Sequence, residues 1–274
     1  MILPETIGPF VLDKSPTTMQ HGYYYCALLD VPFSKEKRAI RVWLPDDYFT
    51  SEKEYPVMYF ADGQNLVNQN LCTFGCWRLD QVAYDNSFSF IAVGVDSPRD
   101  AKTRFQELNP PYNADRIKDG KGAYGDKFIN YIADELVPLI NQLFKVSKKK
   151  EETAIAGSSM GGIMAFYAGV ICPDTFGFSL DFSPAFFLFK EKTWDALLKS
   201  FNLKPSNKVR YFFYVGGKGF ESQFVDATKA TYQYLKSLGF DEKEVALLID
   251  PLQEHNEDAW HQYLKDGLSF WLKQ

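Results

Sequence analysis

Short apolar or alternating runs recur along the chain, and each predicts a strand: Tyr23 to Leu29, Ala39 to Leu44, Val57 to Phe60, Phe90 to Val95, Thr153 to Ala156, Phe178 to Phe182, Val209 to Val215 and Val245 to Ile249. Between them, apolar residues at helical spacing predict helices at about Trp77 to Tyr84, Asp126 to Phe144, Met160 to Ile171, Trp194 to Phe201, Gln223 to Leu238 and Glu257 to Leu272. Pro138 falls inside the second of these and is expected to kink or break it. From Val57 onward strand and helix alternate. That pattern predicts an α/β three-layer sandwich, a mostly parallel central sheet with helices on both faces. No helix separates the first two strands, so that part of the sheet is expected to be antiparallel. No repeat or low-complexity linker interrupts the alternation, and residues 1–274 read as a single domain. Ser97 to Gly125, rich in Pro, Gly, Asn and charge, and the phenylalanine-rich Ser183 to Lys192 fit neither period. Long connections of this kind often wall an active site.

The composition sharpens this picture by exclusion. With 46% hydrophobic, 16% aromatic and 24% charged residues, the chain has enough apolar material for a large core. A net charge of -5 argues against a nucleic-acid surface, which needs clustered Lys and Arg to displace counterions. The basic run Lys148 to Lys150 is short and is answered by Glu151 and Glu152. No apolar run is long enough to span a bilayer, and Met1 to Thr6 has neither the basic nor the apolar region of a secretion signal. The four cysteines, Cys26, Cys72, Cys76 and Cys172, are scattered, as in a reduced cytoplasmic protein. Cys72 and Cys76 have no histidine nearby and no second cysteine pair, so no metal site is expected.

The chemistry centres on Thr153-Ala-Ile-Ala-Gly-Ser-Ser-Met-Gly-Gly162, which sets Ser159 inside G-x-S-x-G between a predicted strand and a predicted helix. This is the context of a nucleophile elbow, a turn too crowded for side chains on either side of an exposed serine. Centring the pattern on Ser158 would place Ala156 and Met160 where glycines are needed. A serine hydroxyl needs a base, and the chain has three histidines. His21 precedes the first predicted strand and His261 lies inside the last predicted helix. His255 lies in the loop before that helix, where the order Ser, acid, His puts the base. The acid belongs on the loop after the penultimate predicted strand, where Glu221 and Asp226 both qualify. Glu221 is favoured because it falls in the glycine-rich turn, whereas Asp226 falls in the following helix. Backbone N–H groups for an oxyanion are expected from Met160, after the nucleophile, and from Gln64, in the turn after Val57 to Phe60. Read alone, Asp62-Gly63 is an ordinary turn signal.

Several of these segments resemble those of the esterase D type of putative esterases, a branch of the α/β-hydrolases that also includes feruloyl and acetyl xylan esterases, S-formylglutathione hydrolases, siderophore esterases and mycolyl transferases. Ala61-Asp-Gly-Gln-Asn65 is similar to H-D-G-Q-N, and Arg104-x-x-Glu-Leu-Asn-Pro110 to R-x-x-E-L-T-P. Gly122-x-Tyr-Gly-Asp-Lys-Phe128, Asp134 to Pro138, Gly157-x-Ser-Met-Gly-Gly162 and His255-Asn-Glu-x-x-Trp260 complete the likeness, which extends over nearly the whole chain. The resemblance implies an α/β-hydrolase fold and a serine esterase that forms an acyl-enzyme without metal or cofactor. It carries over Ser159 and His255 as nucleophile and base, with Met160 and Gln64 as oxyanion donors. Ala61 departs from the family's histidine, and Gly219 stands where its acid usually falls. Glu221 is thus displaced by two residues, and a Ser-His dyad is the alternative. Asp62, Arg104, Phe186 and Trp260 are expected to line the substrate site, and Phe182, Phe187 and Phe189 are further wall or core residues. Arg104 and Glu107 read either as an ion pair pinning the long connection or as substrate contacts. Acyl transfer to an alcohol, or a catalytically inactive binding protein on the same fold, are the rival readings. The natural ester and the oligomeric state are not legible.

Overall fold

The computed structural model describes residues 3–15, 17–72, 74–116 and 122–273. Residues 117–121 of the unassigned 97–125 connection, and the ends of the chain at 1–2 and 274, therefore lie outside the description. Among the described residues ten strands form one sheet: β1 (Thr6–Ile7), β2 (Phe10–Leu12), β3 (Tyr23–Leu29), β4 (Arg38–Leu44), β5 (Val57–Ala61), β6 (Ile91–Val95), β7 (Thr153–Ser158), β8 (Phe178–Phe182), β9 (Arg210–Gly216) and β10 (Val245–Asp250). Their spatial order is β1-β2-β3-β4-β6-β5-β7-β8-β9-β10. From β6 to β10 neighbouring strands run parallel, and from β1 to β4, and across β4 to β6, they run antiparallel. Burial follows position in the sheet. β5, β6, β7 and β8 are buried at every residue, as strands covered on both faces must be, while the edge strand β10 is only half-buried. The added pair β1 and β2 escaped the sequence reading because two or three residues carry no detectable period.

The helices are α1 (Leu79–Asp85), α2 (Ala101–Leu108), α3 (Gly125–Tyr131), α4 (Val137–Leu143), α5 (Met160–Ile171), α6 (Glu191–Ser200), α7 (Ser222–Ser237) and α8 (Glu257–Leu272). α1 and α8 cover one face through Leu79, Val82, Trp260, Leu264, Leu268 and Trp271. The other face is covered by α3 to α7, with Phe128, Ile140, Met164, Phe166, Trp194 and Phe224 among the buried side chains. α2 lies in the connection that resisted assignment. Asp100 caps its N-terminus by accepting from Thr103 N–H at 2.8 Å. Pro138 does not end its helix. A π turn over Ile132–Leu136, with Val137 N–H donating to Ile132 O, separates α3 from α4 and places the proline in the first turn of α4, where its missing N–H costs little. No helix among the described residues is long and apolar enough to cross a membrane.

This topology sets the chemistry along one edge. The loops after β5, β7, β8, β9 and β10 all leave the carboxyl ends of parallel strands, and β5, β7, β8, β9 and β10 are successive neighbours. Side chains distant in sequence therefore converge above the sheet.

Candidate active site

Ser159 stands at the end of β7 with φ 58° and ψ −118°, a backbone conformation that a residue with a side chain adopts only when its surroundings enforce it. Its N–H donates to Phe182 O at 2.9 Å, and its own carbonyl accepts from Ala185 N–H at 3.0 Å. The flanking glycines are a matter of space. A Cβ on Gly157 would come within 2.4 Å of the Gly161 carbonyl group, so the strand and helix can pass only if position 157 lacks a side chain, and one on Gly161 would press on Ala61 Cβ at 3.1 Å. Met160 opens α5, and Gln64 lies in a 3-10 turn over Gly63–Asn65 at the end of the neighbouring β5. Both N–H groups belong to first turns, where no carbonyl of the same helix is placed to accept them.

The turn that carries Gln64 is held in part by charge. Asp62 adopts φ 56° and is buried, and Arg104 from α2 grips its carboxylate with both Nε and Nη2, at 2.8 and 2.6 Å. Burial works against the Asp62 charge, but the Arg104 guanidinium outweighs it and holds the pKa below the ordinary range. Gln64 Oε1 accepts from Ser97 N–H at 3.1 Å, tying the same turn to the loop after β6. Arg104 and Glu107, expected as a possible mutual pair, do not pair with each other. Glu107 binds Arg38 of β4 at 2.7 and 3.1 Å, because residues three apart on α2 here point to different elements.

On the other side, His255 Nε2 lies 3.0 Å from Ser159 Oγ, and His255 Nδ1 is hydrogen-bonded to Glu221 Oε2. A carboxylate oxygen accepts, so Nδ1 carries the proton and Nε2 is left to accept from the serine hydroxyl. The imidazole is stacked on Phe224, with centroids 4.4 Å apart, and meets Phe220 and Trp260 edge-on. Glu221 closes a 3-10 turn over Gly219–Glu221 that folds back beneath the end of β9, and its Oε1 accepts from Gly216 N–H at 2.9 Å. A Cβ on Gly216 would press within 2.8 Å of the Glu221 side chain and 2.5 Å of Gln253 O. Asp226, the other sequence candidate, is exposed on α7. Of the remaining histidines, His21 stacks on Tyr84 and His261 lies on α8, where burial holds its pKa below the ordinary value.

The cavity in front of Ser159 has a volume of about 620 Å³. Asp62, Arg104 and Trp260 contribute to its lining, together with Arg41, Phe74 and Glu257, which the sequence reading did not single out for it. Phe186 does not. The chain turns back at Ser183-Pro184 and carries Phe186 into the core, where its ring stacks on Trp194 at 4.5 Å and meets Phe166 edge-on. Phe182 and Phe189 are likewise core residues, and Phe187 packs on Phe224 behind the imidazole. Glu257 accepts from Asn65 Nδ2 at 2.7 Å, and burial pushes its carboxyl up to about 7. It stands in the His255-Asn-Glu segment quoted above, yet nothing in the sequence marked it as a pocket residue. Among the described residues, no group of three or more His, Cys, Asp or Glu side chains is placed to hold a metal ion.

A family model described as "Putative esterase" matches residues 33–228, more than half of the chain. The chain belongs to this esterase family. A Bacillus subtilis relative, the uncharacterized protein YbbA, is 25% identical over 248 residues, which cover 86% of this chain and 92% of the relative. The iron(III) enterobactin esterase of Escherichia coli is 36% identical over 142 residues, covering 52% of this chain and 31% of that protein. Among solved structures, the enterobactin esterase of Shigella flexneri superposes with a TM-score of 0.67 at 18% identity, over 93% of this chain and 60% of that one. The chain thus spans less than two thirds of the length of the enterobactin esterases it matches. At that identity the superposition speaks for the α/β-hydrolase fold alone.

Proposed function

We propose that this member of the family is a serine carboxylic-ester hydrolase in one domain of residues 1–274, with Ser159 as nucleophile, His255 as general base and acid, and Glu221 as the acid that orients His255. The observation that carries the proposal is the hydrogen-bonded chain from Ser159 Oγ through both nitrogens of His255 to Glu221, at the floor of an open cavity. Ser159 Oγ attacks the ester carbonyl as its proton passes to His255 Nε2, and the resulting imidazolium keeps Nδ1–H on Glu221. The Met160 and Gln64 N–H groups receive the oxyanion, and no further positive charge is needed there. His255 then returns the proton to the departing alcohol, leaving an acyl-serine. Water, deprotonated by the same nitrogen, releases the acid and regenerates Ser159. The intact chain of hydrogen bonds weighs against an inactive binding protein.

The cavity carries the apolar Phe74 and Leu71 beside two arginine-carboxylate pairs, Arg41–Asp96 and Arg104–Asp62, and so suits an ester with both apolar and polar parts. The names of the relatives make siderophore esters reasonable members of a substrate panel. The four unpaired thiols support a reducing, cytoplasmic setting. The test is an ester panel, from short acyl to feruloyl and trilactone substrates, run on wild type and Ser159→Ala together, with acceptor alcohols present to detect transfer. Turnover by wild type and none by Ser159→Ala is expected. Equal turnover by the two overturns the serine mechanism.

A further inference from the structure

We infer that Ser183 is a positioning residue for the acid, and that the hydrogen-bonded chain continues from Glu221 through the Ser183 hydroxyl to the indole of Trp260. The inference rests on the roles proposed above for Ser159, His255 and Glu221. β8 lies between β7 and β9, so the first residue beyond β8 sits between the turn that carries Ser159 and the turn that leads to Glu221. That residue is Ser183. It has no exposed surface, and its N–H donates to Tyr214 O of β9 at 2.6 Å.

Its hydroxyl joins two groups whose polarity is unambiguous. Trp260 Nε1–H donates to Ser183 Oγ at 2.8 Å, and an indole N–H has no acceptor capacity. The single hydroxyl proton is therefore free to point the other way, and Ser183 Oγ is hydrogen-bonded to Glu221 Oε1. With Gly216 N–H also on Oε1, that oxygen has two donors and Oε2 is left for His255 Nδ1. A glutamate side chain has three torsions, and its terminal one is soft. Two donors anchored on β8 and β9 select the rotation that turns Oε2 toward the imidazole. They also supply hydrogen bonds to a carboxylate that has no exposed surface, where a missing donor is costly. The backbone points the same way. Ser183 adopts φ 44°, a conformation that glycine would hold with less strain, so the hydroxyl is what distinguishes serine here.

The test compares wild type, Ser183→Gly, Ser183→Ala, Glu221→Gln and the double variant Ser183→Gly/Glu221→Gln. Two rates are measured for each: hydrolysis of p-nitrophenyl butyrate and labelling of Ser159 by a fluorophosphonate. Ser183→Gly removes the hydroxyl without straining the backbone, which guards against a variant that simply fails to fold. Both single Ser183 variants are expected to lose roughly 10- to 100-fold in kcat and in labelling rate, with KM changed less than about 2-fold. In the Glu221→Gln background Ser183→Gly is expected to cost less than about 3-fold, because the group it positions has already been disabled. Wild-type rates for Ser183→Gly, or an equal loss in both backgrounds, overturn the inference and leave the roles of Ser159 and His255 standing. A wild-type protein that neither hydrolyses the ester nor takes the label overturns both.

Discussion

The turn that carries Ser159 and the turn that carries Glu221 leave the same edge of the sheet, two strands apart, but they are specified in different ways. At Ser159 the constraint is on the backbone. Gly157 and Gly161 lie so close that a Cβ on Gly157 would overlap the Gly161 carbonyl group, and the serine between them is held at a positive φ. A constraint of that kind fixes residue types at fixed spacing and so appears as a motif. At Glu221 the constraint is on the place of two oxygen atoms. A carboxylate on a flexible stem can reach that place from more than one position in the turn, and here it does so from Glu221, two residues beyond the position that the family resemblance implied. Spacing is then a poor guide. What the acid turn does require is a set of donors, and these come from Gly216, Ser183 and His255, on three different segments.

The sharpest way to test this contrast is to remove one member from each side. Ser159→Ala and His255→Ala are each expected to lower kcat by roughly 10⁴- to 10⁶-fold, with the double variant little worse, because the two act as one unit. His261→Ala is expected to be mild, and the reverse ranking of the two histidine variants in steady-state kinetics would show the base to be wrongly assigned. Glu221→Gln is expected to cost roughly 10²- to 10⁴-fold in kcat with KM little changed, since an amide supports the imidazolium poorly and favours the wrong tautomer. Asp226→Asn, on the exposed face of α7, is the control and is expected to leave kcat within about 2-fold of wild type. Loss of activity in Asp226→Asn with Glu221→Gln unimpaired would reverse the assignment of the acid.

A further variant addresses the turn that carries Gln64, where an ion pair adds to the close backbone approach of Gly63 to Gly94. Arg104→Met leaves Asp62 buried without its partner, and is expected to destabilise the fold by roughly 3 to 5 kcal/mol in denaturant titration. It is also expected to lower kcat by about 10-fold or more, because the turn bearing the Gln64 N–H loses its anchor. Unchanged stability would mean that Asp62 finds another donor.

The smallest effect concerns Glu257, whose carboxyl is pushed up to about 7 by burial. Its folded pKa stands above the ordinary glutamate value, so its contribution to stability is complete at low pH and is lost as pH rises through 7. Glu257→Gln keeps an acceptor for Asn65 and removes the titration. Relative to that variant, wild type is expected to lose roughly 2 to 3 kcal/mol between pH 5 and pH 8. A melting-temperature difference between the two that does not change with pH would place the titration elsewhere.

The hydrophobic pattern alone located β3 to β10 and most of the helices, because a buried parallel strand must be apolar throughout and a covering helix must be apolar on one face. The same pattern passed over α2, whose residues Ala101–Leu108 bury only Phe105, Glu107 and Leu108. Local backbone chemistry also marked the Ser159 turn and the helix start at Met160. Tertiary structure decided what depends on contacts between segments remote in sequence. It paired Arg104 with Asp62 and Glu107 with Arg38, it turned Phe186 into the core and away from the cavity, and it brought the Ser183 hydroxyl, bonded by the Trp260 indole, onto the Glu221 oxygen that His255 does not use. A period or a tight turn is written in consecutive residues. The partner of a buried side chain is chosen by where whole strands and helices come to rest, and no short stretch of sequence contains that information.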